Sequence, residues 1–563
     1  MKKLALLFPV LCFAFSILLH AESYAKQNWQ PTVLDLPKSL PTIREGLSLY
    51  KLRTPIRVDD RIVWVYEAPS LRFGLFIWDP EQGTTQYPLE LSERIRSIAY
   101  DSKTRTLLLR TARAIHFYSA SDFSLQKKVA FENLPAHWNL MTAQDGILYM
   151  LRVQDRELPP VVESYSLPVL HKIGSFDAPK SKVQCMLALP GKELLLWSSY
   201  WGNETLTVDA ANGTVLRTER VLSYHMHAMF SAIVRSDGDL MVYDQESQKI
   251  GLLRRVNQLW VDLARSELLE GGFAYRFNPV SDGLLGSFSI TATADRPASR
   301  IALVIPPLST YAQEITDEEI LQPGELVSDE LGNRHLLLSI PMLKRGQTHS
   351  TLFYRSRLRR FSTVYDLSAL PSDLPTALPT IMKGQYLGDS ERYQLSHPLV
   401  AGFYDTLFAS QPNLAALVQS IYRFTVERID GKWDGETENV PEILMNLHGG
   451  CTEHSYAAIA FLRKAGLPSR FNWNYYGRKE DRDLSFNHKF TEVYIHPIGW
   501  LPMEPLGGLR SSAGEVASYP LIFSVRADLG NRFIQRRDRL GAYLDNPEPS
   551  WNSAPIKIAW TLE

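Results

Sequence analysis

The sequence predicts a multidomain, mostly β chain: an all-β, propeller-like N-terminal region, a small β-sandwich, and a C-terminal α+β domain. Three observations lead there. A unit of an apolar pair followed by a polar turn recurs at a spacing near one four-stranded blade. The hydrophobic period changes from strand-like to helical after a Pro- and Ser-rich stretch. Past that change, a Gly-Gly-Cys start to a helix is followed by a His at the head of a strand.

The chain opens with Lys2 and Lys3 ahead of an apolar run, Leu4 to Leu19, broken only by Pro9 and Ser16 and followed by Ser23-Tyr24-Ala25. A charged start, an apolar centre and a small-residue exit describe a secretory signal cut after Ala25. The run is short for an anchor, which needs about 20 apolar residues to span a bilayer. No later stretch approaches that length, so residues 1–25 are read as a signal peptide and the mature chain as exported, in the bacterial periplasm, with no membrane span. Among 563 residues, 60 Lys and Arg stand against 61 Asp and Glu, so no net field draws the chain to nucleic acid or an anionic membrane. With 45% hydrophobic and 21% charged residues it can bury several cores, which excludes disorder and coiled coil. Cys12 falls in the leader. The remaining Cys185 and Cys451 cannot build a disulfide scaffold in so long a chain.

Residues 26–284 read as the propeller-like domain. Short runs of Val, Ile, Leu, Tyr and Phe alternate with Gly, Asp, Asn and Ser turns, with no long helix. Ile77-Trp78-Asp79-Pro80-Glu81-Gln82-Gly83-Thr84 resembles Thr207-Val208-Asp209-Ala210-Ala211-Asn212-Gly213-Thr214, and looser copies end at Ser119, Ser166 and Asp244. From Asp79 to Asp244 the steps are 40, 47, 43 and 35 residues, which implies a ring of roughly five to seven blades. A pair of β-sandwiches is the competing reading. Cys185, inside one such run, reads as a buried small hydrophobe.

Longer strands follow at Phe288 to Thr293, Arg300 to Ile305, His335 to Ile340 and Thr351 to Arg355, so residues 285–370 are expected to form one β-sandwich. Residues 371–395 read as a linker that begins in the Pro-rich stretch. In residues 396–525, Leu414, Leu417, Ile421 and Phe424 recur at helical spacing after Pro412-Asn413. A short helix is expected from Pro441 to Leu447, and another from Cys451 to a stop at Gly466-Leu467-Pro468. Strands Ser469 to Asn474 and Lys489 to Ile495 complete this domain, and residues 526–563 form a C-terminal extension.

The chemistry concentrates at His448-Gly449-Gly450-Cys451. Two glycines allow a sharp backbone turn, and a thiol on the first helical turn is favoured as a nucleophilic thiolate. His488 follows 37 residues later at a strand entrance, as a general base, and Glu504 comes 16 residues after it, as the group that orients the imidazole. Cys, His and carboxylate are the parts of covalent acyl transfer. His454, one turn beyond Cys451, reads as a packing or surface group, and His496, before Pro497, as a turn residue. In the run Phe471, Trp473, Tyr475, Tyr476, either Trp473 or Tyr475 is expected to line a substrate groove. Asp430-Gly431-Lys432-Trp433-Asp434-Gly435 fails as a calcium loop, because Lys432 takes a ligand position and Pro441 stands where a bidentate Glu belongs. No zinc or phosphate-loop motif occurs, and no cofactor is expected.

Together, Gly450-Cys451-Thr452-Glu453, Phe461-Leu462-Arg463-Lys464-Ala465-Gly466-Leu467-Pro468-Ser469-Arg470, His488-Lys489-Phe490-Thr491-Glu492-Val493-Tyr494, Gly499-Trp500 and Glu504-Pro505 resemble the transglutaminase-like superfamily over about Asn413 to Leu506. That resemblance implies a papain-type core with Cys451 as nucleophile, His488 as base and Glu504 in the place of the family's usual Asp. Lys489-Phe490 departs from the small residue and Trp often found there. The expected function is an exported thiol peptidase or amidase working through a Cys451 acyl-enzyme on a protein or peptide, cell-wall peptide included. The propeller-like region would bind a protein or polymer. The alternatives are a catalytically silent binding or assembly protein on the same scaffold, and a protein cross-linking transglutaminase.

Overall fold

Between residues 32 and 266, one compact unit, the described strands group into five successive four-stranded antiparallel blades, the last two joined into a single eight-stranded sheet. The structure, a computed structural model, describes residues 29–31, residues 55–526 apart from short segments (the longest being 291–299, 340–349 and 477–485), and residues 542–544 and 556–562. The expected signal peptide and residues 432–438 of the calcium-like segment lie outside the described residues, as do the side chains of Tyr475 and Tyr476.

The first sheet runs Ile56–Val58, Arg61–Glu67, Phe73–Asp79 and Thr84–Leu91, each strand paired with the next. Four more blades follow the same order, beginning at Ser97–Asp101, Trp138–Gln144, Cys185–Leu189 and Met229–Val234. These first strands neighbour one another in succession, and the fifth neighbours the first, so the ring closes with five blades. Strand alternation drives the stacking: Leu107 and Leu109 share a core with Val63 and Leu75 of the first blade, while Leu108 packs with Met141 and Met150 of the third. Middle strands covered on both faces are continuously buried, as in Phe73–Asp79 and Ala114–Ser119, whereas the outer strand Thr84–Leu91 alternates between exposed and half-buried. The last blade joins its neighbour by a parallel pairing of Arg220 with Leu259, and its fourth strand, Leu259–Asp262, is buried throughout.

Four of the five repeat anchors, Asp79, Ser119, Ser166 and Asp209, end the third strand of their blades. Asp244 instead ends the second strand of the fifth blade, so the short last step of the sequence repeat reflects a slip of one strand. At Asp209 the turn is built locally. The carboxylate accepts the N–H groups of Ala211 (2.8 Å) and Asn212 (3.2 Å), and Gly213 takes φ +75° where a Cβ would strike the Phe176 ring. A cavity of about 340 Å³ opens at the ends of the first strands, lined from all five blades by residues that include Ile56, Tyr100, Thr142, Leu187 and Ile233. Cys185 is buried, and burial pushes its thiol up to about 12, consistent with a packing role.

The second unit comprises residues 1–31 and 267–563. Two of its β-sheets reach outside the expected 285–370 boundaries. One sheet is centred on Ala274–Ile290, which begins before 285 and pairs along its length with Ser350–Tyr365. That sheet also takes in Trp29–Pro31, Gln313–Ile320 and Ile556–Leu562. The other sheet orders Gly324–Ser328, Arg334–Ser339, Arg300–Ile305 and Ala542–Leu544. Segments within 526–563 are therefore sheet strands of this layer. The central strands need edge partners for their backbone groups, and those partners come from distant sequence.

The α+β part contains α1 (Thr380–Tyr386), α2 (Pro398–Leu407), α3 (Leu414–Arg428), α4 (Val440–Asn446) and α5 (Cys451–Lys464). Helix α1 falls within the expected linker, and α2 was not foreseen despite its start signals, Pro398 at the first helical position and His397 Nδ1 accepting the Leu399 N–H. Asn413 caps α3 by accepting the Ala416 N–H at 2.8 Å. The antiparallel sheet orders Gly499–Met503, Phe486–Ile495, Ser469–Tyr476 and Pro520–Arg526. Helix α5 contacts the strand Phe486–Ile495 and helix α3, and Phe461 meets Phe408 and Phe424 with ring centroids 4.9 and 5.5 Å apart.

Candidate active site

Cys451 is the first residue of α5, and the backbone delivers it there by a constrained elbow. Leu447 ends α4 in a left-handed conformation. Asp430 then donates its N–H to Leu447 O (2.8 Å) and accepts that of Gly449 (3.0 Å). Gly449 has φ +156°, and a Cβ there would lie 2.3 Å from that of Glu453. Only glycine fits so close a passage. Gly450 is the N-cap, and its N–H donates to Glu453 Oε2 at 2.7 Å. The free N–H groups of the first turn and the helix dipole favour a negative sulfur at this place.

The strand Phe486–Ile495 carries His488, and the next strand pairs with it so that Met503 lies opposite Thr491 and Glu504 follows. His488 Nε2 and Glu504 Oε1 are 2.7 Å apart, with His488 2% and Glu504 7% exposed. The Cys451 thiol interacts with the same imidazole and with the Lys489 backbone N–H. With Nε2 engaged by Glu504, Nδ1 is the ring nitrogen left for the sulfur. The three residues singled out from the sequence thus converge.

Burial alone would raise the Cys451 thiol, but the interaction with His488, the charge of that ring, the Lys489 N–H and the Lys489 charge together bring it below the ordinary thiol range. Burial opposes charging of His488, yet the Glu504 charge, the contacts with Cys451 and Glu504, and the Cys451 charge raise it to about 10. A thiolate–imidazolium pair is therefore favoured from below the ordinary thiol range up to about 10. Since the imidazole value is raised, its stabilising charge is complete below a free histidine's range and is lost as pH climbs through about 10. Turnover is expected to follow a bell whose alkaline limb lies near 10, where His488 loses the proton a leaving amine needs. Glu504→Gln should draw that limb downward in a pH–rate measurement; a limb that stays put would belong to another group.

Lys489, noted in the sequence only as a departure, lies beside the nucleophile: its Nζ is 2.8 Å from Thr452 Oγ1 and 4.9 Å from the Trp473 ring centroid. Trp473 is 7% exposed and pairs with Lys489 in register, while Asn474 pairs with His488. Sequence reading missed a fully buried group behind the site. Arg470 Nε donates to Glu492 Oε2 (2.7 Å), its guanidinium stacks 3.7 Å from the Trp500 ring centroid, and Asn472 Nδ2 (2.8 Å) and Tyr311 Oη (3.0 Å) donate to Glu492 Oε1. Arg470 and Glu492 stand in words that the resemblance matched, so a buried opposite-charge pair was the available signal. His496 occupies a turn, as expected.

Residues 404–505 match the family model of the transglutaminase-like superfamily, so this segment is a transglutaminase-like domain. No curated protein matches the sequence. Among solved structures, a candidate cysteine protease from Cytophaga hutchinsonii is similar over 52% of this chain and 100% of its own, at 13% identity and a TM-score of 0.36. The β-propeller domain of Cps50 (Swd1) from Myceliophteria thermophila is similar over 42% of this chain and 80% of its own, at 14% identity and a TM-score of 0.27. The WD40 β-propeller domain of Doa1 is similar over 44% and 93%, at 12% identity and a TM-score of 0.28.

Proposed function

We propose that the transglutaminase-like domain of residues 404–505 belongs to an exported thiol enzyme that cleaves amide bonds of a protein or peptide through a Cys451 acyl-enzyme. The observation that carries this reading is the buried His488, held by Glu504 at 2.7 Å and interacting with a thiol at a helix start. In the reaction the Cys451 thiolate adds to the substrate carbonyl carbon, and the carbon–nitrogen bond breaks as His488 gives its proton to the departing amine. Neutral His488 then takes a proton from water, whose oxygen attacks the thioester and releases the acid and the thiol. Glu504 keeps the ring oriented and offsets its positive charge. Trp473 and Tyr475 are the proposed groove-lining residues. The propeller-like unit is read as the module that binds a protein or polymer, with the cavity at the ends of its first strands as the surface to probe. Export to the periplasm rests on the leader sequence.

Hydrolysis is preferred to cross-linking because nothing in the words around Cys451 or His488 encodes a lysine-admitting tunnel, and the calcium-like loop fails at two ligand positions. Two measurements test the reading. Iodoacetamide near neutral pH is expected to modify Cys451 while sparing Cys185, whose thiol burial holds near 12; a Cys451 no faster than free cysteine would favour a silent scaffold. With a glutamine-bearing peptide and a labelled primary amine, the protein should release ammonia and the acid. Stable, Cys451-dependent incorporation of the amine instead would establish a cross-linker.

A further inference from the structure

His454 lies three residues beyond Cys451 on α5, is 2% exposed, and takes no part in the chemistry above. Both of its ring nitrogens meet backbone carbonyls: Nδ1 is 2.7 Å from Gly450 O, and Nε2 is 3.1 Å from Ile429 O. A carbonyl oxygen can only accept. A neutral imidazole carries one N–H and one lone pair, so it satisfies one of these contacts and turns a lone pair on the other oxygen. The imidazolium satisfies both. The two carbonyls it spans are also well placed to matter. Gly450 is the N-cap from which Cys451 projects, and Ile429 ends α3 just before Asp430, whose backbone bonds to Leu447 and Gly449 shape the elbow.

We propose that His454 is a positioning residue that fixes Cys451 by bridging the Gly450 and Ile429 carbonyls as an imidazolium, and that loss of the second ring proton opens the bridge and slackens the elbow. The proposal rests on the thiol-enzyme reading, because it gives His454 a part in presenting that nucleophile. Only an N–H bond changes, and the proton is exchanged with water. The charged groups acting on the ring are Glu453 from its own helix and Asp430 from the segment after α3, and both favour the imidazolium, as do the two carbonyls. Burial opposes them and dominates, so the proton is held less tightly than in a free histidine. The bridge therefore opens on the acid side of a free histidine's range, a partial step in the pH profile that comes well before the His488 limb near 10.

The test uses the full chain labelled with ¹⁵N-histidine and read by long-range ¹H–¹⁵N spectra across pH, with the His454 signal identified by its loss in His454→Gln, or in His454→Asn if the first variant misfolds. Two protonated ring nitrogens at low pH that give way to one neutral tautomer as pH rises are expected. A single neutral tautomer throughout the folded range overturns the proposal. In parallel, the rate of Cys451 modification by iodoacetamide should rise as the thiolate forms, and that rate divided by the thiolate fraction should fall about tenfold as His454 is deprotonated, the equivalent of one hydrogen bond to a charged group. His454→Gln, a donor without a titration, should show the rise and no fall. A fall that persists in the variant also overturns it. If Cys451 is unreactive at every pH, the thiol-enzyme reading fails instead, and the spectra alone decide the bridge.

Discussion

Glu504→Gln is expected to lower turnover by about two to four orders of magnitude, the range spanned by positioned acid–base catalysis, with little change in KM. The carboxylate meets His488 Nε2 at 2.7 Å and supplies the largest influence that holds the imidazole charged against burial. An amide in its place carries no charge and can turn its NH₂ toward the ring, which removes the support for an imidazolium and allows the wrong tautomer to face the sulfur. The fold should tolerate the change, because His488 can stay neutral in the variant. Steady-state kinetics with circular dichroism of wild type and variant would separate the two effects. Turnover within a few-fold of wild type in a folded variant would remove Glu504 from the site.

The largest expected effect on stability comes from a different pair. Glu492→Ala should destabilise the protein by about 3–5 kcal/mol, the cost of stripping a partner from a buried ion. Arg470 and Glu492 are both 0% exposed, and the carboxylate accepts from Arg470, Asn472 and Tyr311. Without it the Arg470 guanidinium stays beneath Trp500 in a region that water does not reach. Tyr311→Phe, which removes one donor and leaves the ion pair intact, should cost only about 1 kcal/mol. Urea unfolding followed by tryptophan fluorescence gives both numbers. Equal losses in the two variants would mean that Arg470 finds other compensation.

The contrast between these residues shows how much was legible in the sequence. A local signal announces Cys451, because Gly449-Gly450 before a helical period states both a sharp turn and a helix start, and the structure uses both glycines in that way. His488 and Glu504 are legible because an antiparallel strand pair that close in sequence has few registers available, and the observed one brings Glu504 to the His488 ring. The blade period is likewise local, since each blade is four strands joined in order. Where the anchor word is weak, at Asp244, the reading slipped by one strand.

Other features were decided by the tertiary structure alone. A strand's alternation says which side chains share a face, and it is silent on which distant strand will cover its edge. Ile556–Leu562 on Ala274–Ile290, and Ala542–Leu544 on Arg300–Ile305, could not be read from either segment. The closure of the ring at five blades depends on whether the fifth first strand meets the first, a condition on the sum of all blade geometries. The same limit applies to single residues. His454 read as a packing or surface group because its role depends on the Ile429 carbonyl 25 residues away, and Glu492 read as one letter of a motif because Tyr311 is 181 residues away. What the sequence determined by itself is what neighbouring residues dictate to one another: the turns, the helix start and the order of Cys, His and Glu. Partners separated by long stretches of chain were chosen by burial and by the need of every buried polar group for a mate, and those conditions exist only once the chain has folded.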